Sequence, residues 1–168
     1  MRPKAARHRR RAKSETTPDN AGVIAPPPAI SGGPLLLGLL LQKARPRPLV
    51  PRRLARLVGW PLLISGIALN AWFIVTMRQT HTPIDPRKPV RHVVTTGPFR
   101  LSRNPGYTSF ALIYMGVASL VNTRWPVLFL PVVVGVMQRG VIAREERYLE
   151  RAFGPDYTHD KASVRRWL

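Results

Sequence analysis

The chain has 168 residues, no cysteine, 45% hydrophobic residues and a formal net charge of +19. Without cysteine, a disulfide framework, a thiolate metal site and a cysteine nucleophile are all excluded, and the length suits one domain. So basic a chain would put nucleic acid first among partners, but its apolar residues come in charge-free blocks, Ala21 to Leu41 and Leu57 to Met77, that a nucleic-acid binder does not need. No nucleic-acid partner is expected; the blocks predict an all-α integral membrane helical bundle.

Met1 to Asn20 carries Arg2, Lys4, Arg7, Arg9, Arg10, Arg11 and Lys13 against Glu15 and Asp19. It reads as a disordered basic cytoplasmic tail that stays on the protein, leaving residues 21–168 as the membrane domain. The first apolar segment runs from about Ile30 to Leu41. Gly22 to Pro28 forms an extended lead-in, because the triplet Pro26-Pro27-Pro28 does not continue a helix. Its length fits a re-entrant segment as well as a span. Lys43 to Arg56 is a stiff basic connection with three prolines and no acid, and Leu57 to Met77 is the clearest span.

The loop Arg78 to Asn104 contains Pro83, Pro86, Pro89 and Pro98 and is expected to be extended. Loops of this length usually carry function. Two apolar runs follow, Tyr107 to Val121 and Trp125 to Ile142, joined by the turn Asn122-Thr123-Arg124. They form a hairpin, with Pro131 expected to bend its second arm, and a C-terminal interfacial helix after it. The prediction is therefore about four transmembrane segments, with Trp60, Trp72, Trp125 and Trp167 as interfacial anchors.

A hairpin that crosses and returns puts the long loop and the C-terminal segment on one side, taken here as the cytoplasm. With four crossings the N-terminus joins them. The Lys43 to Arg56 connection is then the exception to the cytoplasmic bias of Lys and Arg; a re-entrant first segment removes the conflict.

The hairpin brings two polar clusters together, Arg103-Asn104-Pro105-Gly106-Tyr107 and Arg144-Glu145-Glu146-Arg147-Tyr148. Asn and Pro are favoured at the N-cap and first position of a helix, so capping alone explains Asn104 and Pro105. The same helix start, with the Arg103 fork beside it, also suits an anion. Helical spacing from Gln138 puts Val141, Ile142, Glu145, Tyr148 and Leu149 on one face. Glu145 has no cation three or four residues away, which makes it a functional candidate whose partner is Arg103 or a cationic ligand. Glu146, rotated about 100° from it, faces water or the site. Glu150 pairs at the surface with Arg147. His8, His81, His92 and His159 show no metal-ligand spacing, so no metal is expected.

From about Thr82 to Leu168 the chain resembles the isoprenylcysteine carboxyl methyltransferase and phospholipid methyltransferase superfamily of membrane enzymes. The matching pieces, in order, are Thr95-Thr96-Gly97-Pro98-Phe99-Arg100, Arg103-Asn104-Pro105-Gly106-Tyr107, Glu145-Glu146 and Phe153-Gly154-Pro155-Asp156-Tyr157. The resemblance implies a bacterial inner-membrane methyltransferase using S-adenosylmethionine at the cytoplasmic interface. The cofactor contacts it implies are His92, Val93, Val94, Phe99, Asn104, Pro105, Gly106, Tyr107 and Glu145, with Arg103 and Glu146 adjacent. Asn104 stands where the motif usually has histidine, so hydrogen bonding is kept and a proton-accepting role is lost. Val141 stands where eukaryotic carboxyl methyltransferases carry an arginine, and Arg144 is the nearest substitute.

The leading expectation is methyl transfer to a lipophilic small molecule or lipid through a carboxylate, amine or thiol, with no dedicated base identified. One alternative is an NADPH-dependent membrane reductase of the same superfamily. The other is a non-catalytic membrane protein that binds anionic lipid through its basic segments.

Overall fold

The computed structural model describes residues 20–90 and 92–167, and the predicted tail, apart from Asn20, lies outside them. Among the described residues there is no strand. Helix α1, Pro27–Ala44, begins earlier than the sequence predicts. Pro27 and Pro28 occupy the first turn, where a missing N–H has no intrahelical acceptor to lose, while Pro34 lies inside the helix without ending it. Helix α2, Arg52–Gln79, extends the charge-free run by polar turns at both ends.

Helix α3, Pro105–Leu120, packs along α2, and small residues set how closely. A Cβ on Gly116 would sit 2.6 Å from the Leu63 backbone nitrogen, and one on Gly66 2.8 Å from that of Ile113. Backbones that approach this closely are a usual way for helices to associate where no water drives them together. Asn70 Nδ2 donates to Ser109 Oγ at 2.9 Å across the same seam.

Trp125–Met137, Gln138–Ile142 and Ala143–Phe153 run on as one helix, α4, Trp125–Phe153. Pro131 lies inside it without ending it. Its middle stretch, Gln138–Ile142, is π-helical, a widening that adds a residue to one turn and alters the local carbonyl pairing. The Gly140 carbonyl there accepts from Ile24 N at 3.3 Å, tying the chain ahead of α1 onto α4. Gly154, at φ +53, makes the break before α5, Pro155–Ser163.

Met137, Val141 and Ile142 form the buried cluster, covered by Val23, Ile30, Tyr107 and Trp167. Trp167 thus packs on the core, unlike the anchor the sequence predicts. Leu57, Ile64, Leu128 and Val132 are at least 60% exposed on the outer faces of α2 and α4. Among the described residues two helices, α2 and α4, are long and apolar enough to cross a membrane. The other two expected spans are shorter: α1 has 18 residues with polar Gln42 and Lys43 near its end, and α3 has 16.

The molecule has two distinct ends. At one, the α3–α4 turn meets the α1–α2 connection: Asn122 Oδ1 accepts from Leu49 N and Val50 N, and Trp125 Nε1 donates to Arg45 O at 2.9 Å. At the other lie the chain before α1, the loop after α2, the start of α3 and the C-terminal segment.

Candidate functional site

The loop after α2 is held down by two features of its own sequence. Gly97 adopts φ +60, and a Cβ there would lie 2.6 Å from Thr76 Oγ1, so only glycine lets the loop sit against α2. Phe99, in the 3₁₀ turn Gly97–Arg100, meets Phe73 of α2 with ring centroids 5.9 Å apart. Val90 N donates to the Tyr148 phenol at 3.2 Å, which joins the loop to α4.

Between these elements is a cavity of about 440 Å³, within the ~300–1,000 Å³ usual for small-molecule sites. The cofactor contacts that the resemblance implies, with Arg103 and Glu146, all line it: His92, Val93 and Val94 from the loop, Phe99 from its 3₁₀ turn, Arg103, Asn104, Pro105, Gly106 and Tyr107 at the start of α3, and Glu145 and Glu146 from α4. The rest of the wall was not foreseen. Pro26, Pro27 and Pro28, Phe73 and Met77 of α2, and Tyr157 and Asp160 of α5 also face it. Phe73 and Met77 carried a readable signal, one helical turn apart at the end of a span; the proline triplet carried none.

The ionic pairing differs from the expectation. Glu145 accepts from the Tyr107 phenol at 2.8 Å, while Arg103 lies beside Glu146, with Nη1 3.3 Å from Oε1 but no hydrogen-bond geometry. Glu146 is buried, not facing water, because the C-terminal segment covers it. Arg166 donates to it from both Nε, at 2.9 Å, and Nη2. The Arg103 side chain is 9% exposed, and its Nε and Nη1 are buried with no hydrogen-bond partner among the described residues. Two donors of a permanent cation are therefore unmet inside a cavity, an arrangement that calls for an anionic or acceptor group.

Asn104 holds the N-cap position of α3, yet its side chain makes no cap. Its Nδ2 donates instead to the Arg166 carbonyl at 3.0 Å, and Ser102 Oγ donates to the same oxygen at 3.1 Å. Arg103 N donates to the Arg165 carbonyl at 2.9 Å. The first turn of α3 is thereby left without a side-chain acceptor on the cavity side. Arg144 does not substitute for the missing arginine: its Nη1 donates to the Gly22 carbonyl at 2.8 Å, outside the cavity wall. Glu150 pairs with Lys161 of α5, while Arg147 Nε donates to the Ala143 carbonyl.

His92 is exposed on the loop, with Nε2 3.3 Å from Thr82 Oγ1. Burial pushes the Tyr157 phenol up to about 12, with the charge of Glu146 adding to it. Burial also raises the Asp160 carboxyl above its ordinary range, against the pull of Arg103. The hydrogen bonds that Arg166 donates to Glu146 raise the guanidinium above its ordinary value, which keeps it charged.

An exposed apolar belt and a cavity walled by an arginine, a carboxylate pair and a proline-rich loop converge with a direct comparison: residues 54–156 match the model of the phospholipid methyltransferase family. The chain belongs to the phospholipid methyltransferase family. The match covers more than half of the chain, from the first turn of α2 to the first turn of α5, and so includes the cavity residues from His92 to Glu146 that the sequence singled out. In this methyltransferase, Arg166 and Asp160 lie beyond the matched stretch although both complete the site. No curated protein and no solved structure matches the chain.

Proposed function

We propose that residues 21–168 form one membrane domain that binds S-adenosylmethionine in this cavity and directs its methyl group to a lipophilic acceptor bearing an amine, carboxylate or thiol. The observation that carries the reading is the buried Arg103 fork, whose Nε and Nη1 have no hydrogen-bond partner among the described residues. A carboxylate is the group such a fork fits best, and the start of α3 beside it adds unmet backbone N–H groups and a positive dipole end. Glu145, held by Tyr107, offers a carboxylate to an ammonium or to ribose hydroxyls. The donor's functional groups therefore have partners among the residues present.

When bound, the donor supplies a sulfonium-activated methyl group. The chain's own residues contribute position. Arg166 neutralises Glu146, so that Arg103 is not drawn wholly onto it. Phe73, Met77, Phe110 and Leu149 give the cavity apolar walls that suit a lipophilic acceptor and exclude water. Asn104 hydrogen-bonds the C-terminal segment and does not take a proton. Rate acceleration then rests on holding acceptor and donor in line. The same reading puts the four helices across a bacterial inner membrane, with the cavity at the cytoplasmic face.

Calorimetry on detergent-purified protein tests this. Wild type is expected to bind S-adenosylmethionine saturably and NADPH not at all. Arg103→Gln and Glu145→Gln each lose a charged partner, at ~1.5–3 kcal/mol or ~10–100-fold in affinity. A folded sample that takes up no donor overturns the proposal, and NADPH binding in its place would favour a reductase.

A further inference from the structure

The end of the molecule opposite the cavity carries six exposed cations: Lys43, Arg45, Arg47, Arg52, Arg53 and Arg56. Among the described residues none of them enters an ion pair, and the sequence has no carboxylate between residues 20 and 84. Among the described residues nothing neutralises this collar.

The collar is also fixed in shape. Arg124 Nη2 donates to the Pro48 carbonyl at 3.0 Å and Arg124 N to the Arg47 carbonyl at 3.1 Å. Asn122, in the left-handed region at φ 53, accepts from Leu49 N and Val50 N and donates to Val50 O. The first turn of α2 contains no acid and receives no side-chain cap, so its dipole adds to the positive field. Immediately beside the cations, the flank of α2 is apolar and open, with Leu54 45%, Leu57 71% and Trp60 54% exposed.

We propose that this collar binds the phosphate headgroup of an anionic phospholipid, with the acyl chains lying along Leu57 and Trp60. The neighbouring apolar flank decides the class of ligand. A free phosphate would use the cations and leave that flank bare, whereas a phospholipid satisfies both at once. The site is independent of methyl transfer: along α2 its last cation, Arg56, lies ~25 Å from Phe73, where the cavity wall begins on that helix. It also accounts for a charge pattern that membrane insertion alone does not explain. If α2 crosses, one strongly basic end lies away from the cytoplasm whichever way the chain inserts, contrary to the usual bias.

The test is native mass spectrometry of the full chain, released from nanodiscs containing equal amounts of phosphatidylglycerol and phosphatidylcholine. Retention of phosphatidylglycerol is expected to exceed that of phosphatidylcholine by at least about tenfold. The preference should vanish in Arg45→Gln/Arg47→Gln/Arg52→Gln/Arg53→Gln and persist in Arg78→Gln/Arg147→Gln/Arg151→Gln, which removes cations from the other end. If the fourfold variant does not fold, each single substitution is expected to lower the preference severalfold. Equal retention of both lipids by wild type overturns the proposal. So does a preference that follows the cavity-end cations instead, or one that inorganic phosphate at millimolar concentration abolishes.

Discussion

Asp160 faces the cavity from α5, and burial favours its neutral form although Arg103 pulls the other way. The consequence for stability has a definite sign. Below the ordinary carboxyl value of 3.8 the group is protonated in folded and unfolded chains alike, and its contribution to stability is fully present. As pH rises the unfolded chain ionises first, so stability falls through the raised folded value and stays reduced at neutrality. Asp160→Asn removes that titration. Its thermal midpoint in detergent is expected to exceed wild type by about 1–2 °C at pH 7, a modest gain because the side chain is partly solvated. The gap should close toward pH 4. An equal gap at both pH values would mean that packing, and not ionisation, separates the two proteins.

Helix packing rests on a few positions where no side chain fits. Gly116→Val would push a branched side chain into the Leu63 backbone, so α2 and α3 must separate at a cost of about 1–3 kcal/mol. Gly135→Ala, with nothing within 4 Å of its new Cβ, is the matched control and should leave the melting curve near wild type. Equal losses in both variants would remove the seam from the account. Elements of this kind were only partly legible in the sequence. The charge-free run Leu57 to Met77 marked α2, and Pro105 marked the start of α3, because hydropathy and proline act locally. The π-helical stretch Gln138–Ile142 left no trace, since its apolar residues suit an ordinary helix equally well. Glu146 stayed open between water and the site for a related reason: helical spacing sees one helix, and the residue that buries and pairs it, Arg166, arrives from 20 positions away. The cavity itself was legible as a set of names from the paired polar clusters, but not the partners within it. Which carboxylate meets Arg103 depends on where Tyr107 and the C-terminal segment settle, and neither is encoded by spacing.

On the scale of the molecule, α2 joins two basic ends that differ in kind. The cavity end holds Asp85, Asp160 and the glutamate pair among its cations; the collar end has no acid among the described residues. The exposed aliphatic faces of α2 and α4 between them are of a length to match a bilayer, and in water they would be an aggregation surface. A crossing by α2 must put Arg47 and Arg147 on opposite sides, since Arg47 lies in the connection ahead of α2 and Arg147 follows the glutamate pair at the cavity end. The chain has no cysteine, so Arg47→Cys and Arg147→Cys each introduce a single reactive thiol at an exposed position. A membrane-impermeant maleimide added to intact cells is expected to label Arg47→Cys within minutes and to reach Arg147→Cys only after permeabilisation. The reverse pattern would keep the crossing and turn the cavity outward, removing it from a cytoplasmic pool of methyl donor. Labelling of both from one side would mean that α2 does not cross, and its apolar face would then need a protein partner in place of lipid.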